Sequence, residues 1–129
     1  MTAELTVLVL AALLQMGQIM LYSTLANRQV DMDYALSPRD TPRQLTGIAG
    51  RAQRAMNNHF EGLILFTIAA LAIHTTGQSS GLTVACAWLY LGARLLYIPA
   101  YLFGLAPWRS VIWGVGWLAT AIMLVAALV

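Results

Sequence analysis

The sequence predicts an all-α integral membrane protein, built as a bundle of four transmembrane helices. Of its 129 residues, 60% are hydrophobic and only 9% are charged, whereas a soluble domain carries about 25% charged residues. The mean hydropathy is +0.72, and several apolar stretches approach the length of about 20 residues that a helix needs to cross a bilayer. Too few polar residues remain to cover a soluble core.

The four predicted helices form one transmembrane domain over residues 1–129, and they span about 5–26, 45–75, 82–103 and 108–129. The second helix is the least obvious, because its purely apolar part runs only from Gly62 to Ile73. A helical pattern extends it upstream to about residue 45.

The distribution of arginine predicts the orientation of the chain. All seven cationic residues are arginines, and five of them lie between Arg28 and Arg54, with Arg109 at the third connector. Because the cytoplasmic loops of membrane proteins are enriched in basic residues, the first and third connectors are expected in the cytoplasm. Both termini then lie on the non-cytoplasmic side.

The second helix carries a stripe of polar residues along one face. Arg51, Arg54, Asn58 and Glu61 are spaced i, i+3, i+7 and i+10, which places them within roughly an 80° arc. Glu61 directly precedes an apolar run, and a carboxylate at that depth is costly unless it faces a partner or a wet cavity. Arg54 is too far along the same helix to pair with it. Arg94 of the third helix is therefore the expected protein partner of Glu61, and a ligand is the other possibility.

Two further stripes are expected to face the first one. The third helix carries Tyr90, Arg94, Tyr97 and Tyr101 on one face, and the first helix adds Gln15, Gln18 and Tyr22. We expect the three stripes to converge on an inward pocket near the cytoplasmic half of the bundle. Intramembrane pairs of this kind can serve only to fix helix register, but an excess of cations over anions also suits an anionic ligand.

The start of the fourth helix permits two interpretations. Proline early in a helix is a start signal, and serine is a common cap, so the segment 107–110 can be a simple interfacial anchor. Alternatively, Arg109, Ser110 and the amides of the helix start together favour a bound anion.

Other classes of function find no support in the sequence. There is no basic run, so nucleic acid is not an expected partner. Cys86 is a lone cysteine expected to be an ordinary buried thiol, and His59 and His74 are too far apart to share a metal ion. His59 is expected to be structural and His74 interfacial.

The run Arg51-x-x-Arg54-x-x-x-Asn58-x-x-Glu61, followed by an apolar stretch ending in Phe66, resembles the second-helix signature of the MAPEG family. These are the membrane-associated proteins in eicosanoid and glutathione metabolism. The resemblance covers nearly the whole chain, since the length, the four helices, the long first connector, the third-helix stripe and the turn at 106–110 all agree.

The resemblance implies a homotrimer, with three glutathione sites at subunit interfaces that open toward the cytoplasm. We expect the membrane to be a bacterial inner membrane. Arg109 matches the arginine that stabilises the thiolate, and Ser110 matches the adjacent hydroxyl; both would be catalytic. Carried over by position, the glutathione-binding residues would be Arg51, Arg54, Asn58 and Glu61 of helix two, Arg94, Tyr97 and Tyr101 of helix three, and Arg28 of the neighbouring subunit.

The activity implied is that of a glutathione transferase or peroxidase acting on a lipophilic electrophile or hydroperoxide in the bilayer. The alternative is a noncatalytic membrane module that binds a lipid or a partner protein. Three departures from the family pattern argue against eicosanoid isomerase chemistry: Asn57 and Tyr97 where many members carry arginine and histidine, and Trp113 where some carry tyrosine. Trp113 also modestly favours the noncatalytic alternative.

Overall fold

The computed structural model describes residues 1–28 and 46–129, and within them the chain forms four α-helices and no strand. Each of the four is long and apolar enough to cross a membrane. The prediction of an all-α, four-span membrane protein is therefore confirmed. The helices are α1 (Ala3–Ala26), α2 (Gly47–Thr75), α3 (Gly81–Leu102) and α4 (Trp108–Leu128).

The long first connector is the part of the chain that the structure does not describe, apart from its two ends. The predicted start of the second helix, residue 45, lies outside the described residues. Within the described part, α2 begins at Gly47, and the cap position before it is Thr46.

The two short connectors reverse the chain with the same glycine conformation and the same hydrogen-bond pattern. After α2, Gly77 has φ +67°, and after α3, Gly104 has φ +65°. In each turn the glycine N–H and the next N–H bond back to carbonyls of the last helical turn: Gly77 to His74 and Gln78 to Ile73, then Gly104 to Tyr101 and Leu105 to Ala100. This pattern ends a helix while satisfying its last carbonyls, and it requires the left-handed conformation that glycine adopts without strain.

The helices pack antiparallel around a core that is rich in small residues. Among the described helices, α1 and α4 do not contact each other, while each packs against both α2 and α3. Alanines on all four helices are buried, which lets the backbones approach closely, and Phe66, Ile73 and Met123 fill the space between them with no exposed surface.

A buried carboxylate joins the first and third helices at the end where the chain begins. Glu4 has no exposed surface, and its side chain accepts hydrogen bonds from the Ser79 hydroxyl at 2.9 Å and the Thr83 hydroxyl at 2.7 Å. At the same end, the Gln78 amide, in the orientation that satisfies both of its atoms, donates to the Ala127 carbonyl at 2.8 Å. These bonds tie α1 and the end of α4 to the α2–α3 connector.

Candidate functional site

A pocket of about 160 Å³ lies at the opposite end of the bundle, where α2 begins, α3 ends and α4 begins. The turn made by Gly104 brings the start of α4 back toward the first turns of α2. Three arginines from two helices face this pocket, together with one tyrosine and two small residues of the turn. Its lining is Arg51, Arg54, Tyr101, Gly104, Ala106 and Arg109.

Tyr101 organises the arginines of this pocket. The Arg54 Nε donates to the Tyr101 hydroxyl at 3.0 Å, and the Arg109 guanidinium carbon lies 4.8 Å from the centre of the Tyr101 ring. A cation over a tyrosine face is attracted by the ring, so one side chain positions a guanidinium from α2 and another from α4. Arg51 is held separately, because its Nη1 donates to the Leu102 carbonyl at 3.2 Å.

Gly104 lies beside the Arg51 guanidinium group. A Cβ added to Gly104 would lie 3.7 Å from the Arg51 guanidinium carbon. This is an ordinary van der Waals distance, so the requirement for glycine at this position comes from its positive φ.

The charge of this pocket has no carboxylate partner among the described residues. Within residues 1–28 and 46–129, no carboxylate is ion-paired with Arg51, Arg54 or Arg109. Three like charges repel one another, most strongly where the surroundings have a low dielectric constant. An anion in the pocket would relieve this repulsion, and guanidinium groups grip carboxylates with paired hydrogen bonds.

The start of α4 differs from the sequence-based expectation in two respects. Pro107 occupies the cap position, and no described side chain caps the helix, so Ser110 lies inside the first turn, where its side chain is exposed. Its amide is not free for an anion either, since Arg109 N donates to Leu105 O at 2.9 Å and Ser110 N to Pro107 O at 3.0 Å. The turn preceding the helix supplies these acceptors, so the charge of Arg109 is the main attraction for an anion at this point.

A second polar cluster lies deeper in the bundle, centred on Arg94. Arg94 is only 4% exposed, its Nη1 donates to Asn58 Oδ1 at 2.9 Å, and its Nε donates to His59 Nδ1 at 3.3 Å. Its guanidinium carbon lies 4.6 Å from the centre of the Tyr97 ring. The cluster thus holds a buried cation by neutral acceptors and an aromatic face.

His59 links this cluster to the first helix. Its Nε2 lies 3.1 Å from the Ala11 carbonyl oxygen, which can only accept a hydrogen bond. The proton of a neutral imidazole therefore resides on Nε2, and Nδ1 is left as the acceptor for Arg94. His59 belongs to the cluster, although helical periodicity placed it off the stripe of α2.

The predicted pairing of Glu61 with Arg94 is wrong. Glu61 is exposed and forms no hydrogen bond or ion pair with any described residue. Arg94 instead spans Asn58 and His59, which lie about 100° apart on the helix, because its two donor nitrogens point in different directions. The signal that could have identified His59 is its place between Asn58 and the apolar run, on the buried side of α2.

The sequence predicted one pocket on which the polar stripes converge, whereas the structure has two separate polar clusters. One lies around Tyr101 and the other around Arg94. Tyr97 lies between them, since it stacks under Arg94 and its ring centre is 5.5 Å from that of Tyr101. The stripe of α1 joins neither, because Gln15 donates to the Met56 carbonyl at 3.3 Å and Gln18 donates to Gln15 at 3.3 Å.

The remaining predicted residues lie at the periphery or in the core. Arg28 is exposed just beyond α1, and its side chain forms no hydrogen bond or ion pair with another described residue. Cys86 is a buried free thiol, and His74 is exposed near the far end of α2. Among the described residues, no group of three histidine, cysteine or acidic side chains is placed to hold a metal ion.

The described residues form four helices long and apolar enough to span a membrane, with three arginines around a pocket at one end of the bundle. These features define the class of integral membrane proteins with a cationic pocket. The model of the MAPEG family matches residues 3–129, so the chain belongs to the MAPEG family, as the second-helix signature indicated. Membership supports a membrane function related broadly to glutathione or eicosanoid metabolism. A search among curated proteins finds no match.

Proposed function

We propose that the protein is a membrane-embedded, glutathione-binding transferase or peroxidase. The observation that carries the proposal is the pocket of Arg51, Arg54 and Arg109, whose charges have no carboxylate partner among the described residues. Glutathione is a small peptide with two carboxylates, one ammonium group and a thiol, and it is anionic at neutral pH. It supplies negative charge to a pocket whose described lining residues provide none.

The two ends of glutathione suit different residues of the site. Arg51 and Arg54 are the expected partners of its carboxylates, with Tyr101 holding Arg54 in place at 3.0 Å. Glu61 is the expected partner of its ammonium group, because Glu61 is exposed and otherwise unpaired within the described chain. The cluster deeper in the bundle would act mainly by holding these side chains in position. Its members are Asn58, Arg94 and Tyr97.

Arg109 and Ser110 are the proposed catalytic residues. A free thiol with a pKa of about 8.5 is mostly protonated at neutral pH. A guanidinium and a hydroxyl beside the sulfur favour the thiolate and lower the pKa of the glutathione thiol. The thiolate would then attack a lipophilic electrophile or hydroperoxide that reaches the site from the bilayer, and bringing the two reactants together supplies a proximity effect.

The exposure of Glu61 also supports the proposed homotrimer. Glu61 lies within a membrane-spanning helix, and a carboxylate facing lipid at that depth is strongly disfavoured. A subunit interface that covers this face of α2 would remove Glu61 from lipid, complete the site and allow Arg28 of a neighbouring subunit to approach. We propose a bacterial inner membrane as the location of the protein. We also propose that both termini lie on the non-cytoplasmic side, because Arg28, Arg51, Arg54 and Arg109 lie at one end of the bundle.

Titration calorimetry of the purified protein with glutathione tests the proposal. We expect saturable binding, and we expect Arg54→Ala to weaken it about 10- to 100-fold, the cost of losing charge-assisted hydrogen bonds. Arg54→Lys is the matched control, since it keeps the charge and should retain part of the affinity. If saturating glutathione produces no binding heat and no change in melting temperature, the proposal is wrong.

One observation favours the noncatalytic alternative. An apolar groove of about 430 Å³ runs between α3 and α4, with Trp88, Leu96 and Ile112 among its lining residues, and it is wide enough for a lipid chain. A module that binds a lipid or a partner protein would co-purify with lipid in this groove and would not turn over a generic aryl halide with glutathione. Turnover that requires Arg109 would exclude this alternative.

A further inference from the structure

The charge of Arg94 is not balanced by a carboxylate in the part of the chain that the structure describes. Arg94 is only 4% exposed, and its hydrogen bonds go to Asn58 Oδ1 and His59 Nδ1, which are both neutral acceptors. The face of Tyr97, 4.6 Å from the guanidinium carbon, adds only a partial attraction. A full positive charge buried in a bilayer without a counter-ion is costly. A bound anion would supply the charge that balances it.

Two buried hydrogen-bond donors next to this charge have no partner among the described groups. They are Arg94 Nη2 and the hydroxyl of Tyr90, one turn earlier on α3. The Tyr90 ring is held by stacking on Phe66, with centroids 4.1 Å apart and planes within 6°, and Arg94 is held by its two hydrogen bonds. The donors are therefore preorganised, which reduces the entropy lost on binding. Because a guanidinium can only donate, a ligand that satisfies both must be an acceptor.

Both side chains line a cavity of about 130 Å³ between α2, α3 and α4, whose other walls are mainly apolar. Thr120 is the other hydroxyl of this lining, and its proton is used, since it donates to the Gly116 carbonyl at 2.9 Å. Arg94 is seven residues before Tyr101 on α3, which places the cavity about 10 Å deeper than the arginine pocket. Among the described residues, the linings of the cavity and of that pocket share no member, and neither includes an acidic side chain.

We propose that this cavity binds a monovalent inorganic anion of the halide class, which serves as the counter-ion of Arg94. The anion accepts hydrogen bonds from Arg94 Nη2 and the Tyr90 hydroxyl. A halide is similar in size to a water molecule, which occupies about 30 Å³, so the cavity also holds part of its hydration shell. The apolar walls favour a weakly hydrated halide over sulfate, because burial costs it less hydration free energy. The proposal does not rest on glutathione binding, since the two sites are separate.

Iodide binding can be followed by tryptophan fluorescence, because iodide quenches indole emission and Trp113 and Trp117 line the cavity. The full-length protein in detergent is titrated with sodium iodide, and the ionic strength is kept constant with sodium gluconate. Collisional quenching rises steadily with iodide concentration, whereas a binding site fills. We therefore expect a saturable component of the quenching. We also expect sodium chloride to displace it and sodium sulfate at equal ionic strength to leave it unchanged.

Tyr90→Phe removes one donor and keeps the ring that stacks on Phe66. We expect it to raise the iodide concentration at half-saturation about tenfold, as the loss of one hydrogen bond to a charged group implies. Tyr22→Phe is the matched control, since Tyr22 lies on α1 and does not line the cavity, and it should leave half-saturation unchanged. Arg54→Ala removes a cation of the arginine pocket instead and should also leave it unchanged. Melting temperatures in detergent establish that each variant is folded.

Purely collisional quenching of the wild-type protein would overturn the proposal, and the two donors would then be assigned to buried water. A saturable component that Arg54→Ala abolishes would overturn it as well, because the iodide would then lie in the arginine pocket. The same holds if a folded Tyr90→Phe variant keeps the wild-type half-saturation. The wild-type protein and Arg54→Ala decide the matter even if Tyr90→Phe does not fold, since the side chain of Arg54 is exposed.

Discussion

Arg94 of the third helix donates through Nε to His59 Nδ1 of the second, at 3.3 Å. The same imidazole approaches the Ala11 carbonyl of the first helix at 3.1 Å. One neutral histidine therefore joins three helices. It also supplies a hydrogen-bond acceptor to the guanidinium group of Arg94, which is buried away from water. This relationship makes His59 a structural centre of the bundle.

Replacement of His59 should destabilise the fold. His59→Ala leaves Arg94 Nε and the Ala11 carbonyl without partners, and we expect a loss of about 2–4 kcal/mol in the free energy of unfolding, measured in mixed micelles. His74→Ala is the matched control, because His74 is exposed, and it should change stability by less than about 0.5 kcal/mol. A loss confined to His74→Ala would contradict the assignment.

Arg109 should control the ionisation of bound glutathione rather than its affinity. We expect Arg109→Ala to abolish the ultraviolet absorbance of the glutathione thiolate, because the cation beside the sulfur is lost. The dissociation constant from calorimetry should change less than about threefold, since Arg51 and Arg54 remain. Arg109→Lys should retain part of the absorbance, and S-methylglutathione, which has no free thiol, should bind without producing it.

Gly104 should matter both for stability and for the pocket. Its φ of +65° makes Gly104→Ala cost roughly 1–2 kcal/mol of stability, and the change in the turn should shift Arg51 and weaken glutathione binding. Gly77→Ala provides the matched control, because Gly77 has φ +67° in the equivalent turn at the far end. It should lower stability similarly and leave the affinity unchanged. Equal loss of affinity in both variants would mean that the effect on binding is general unfolding.

Glu4 should contribute to stability without affecting the pocket. Glu4→Ala removes the acceptor of the Ser79 and Thr83 hydroxyls, and we expect a loss of about 1–3 kcal/mol in the free energy of unfolding. Glu4→Gln keeps an acceptor oxygen and should lose less. Glutathione affinity should be unchanged in both, as measured by calorimetry on protein that has been shown to be folded by its melting curve.

The fold was largely predictable, because hydropathy and helix length depend on composition within each segment. Four spans, their order and the glycine-containing turns all follow from stretches such as Gly62–Ile73 and from breakers such as Gly77 and Gly104. The membrane makes this inference stronger, since a helix is the simplest way for a spanning segment to satisfy its backbone.

The contacts of the site were less predictable. Periodicity gives the direction in which a side chain leaves its own helix, but it does not give the residues of other helices that the side chain contacts. The stripe of α2 correctly brought Arg51 and Arg54 toward Tyr101. It did not reveal that Arg94 would span Asn58 and His59, or that Glu61 would have no partner among the described residues, since that outcome depends on how far α3 is rotated against α2. The burial of Glu4 was equally hard to predict from the sequence, because its hydrogen-bond partners lie 75 and 79 positions later.

That separation along the chain has a consequence for biogenesis. When the first helix leaves the ribosome, the hydroxyls of Ser79 and Thr83 have not yet been synthesised, so the Glu4 carboxylate enters the translocation machinery without its eventual donors. The hydrogen bonds of Glu4 can therefore form only after the α2–α3 connector and the start of the third helix have been synthesised.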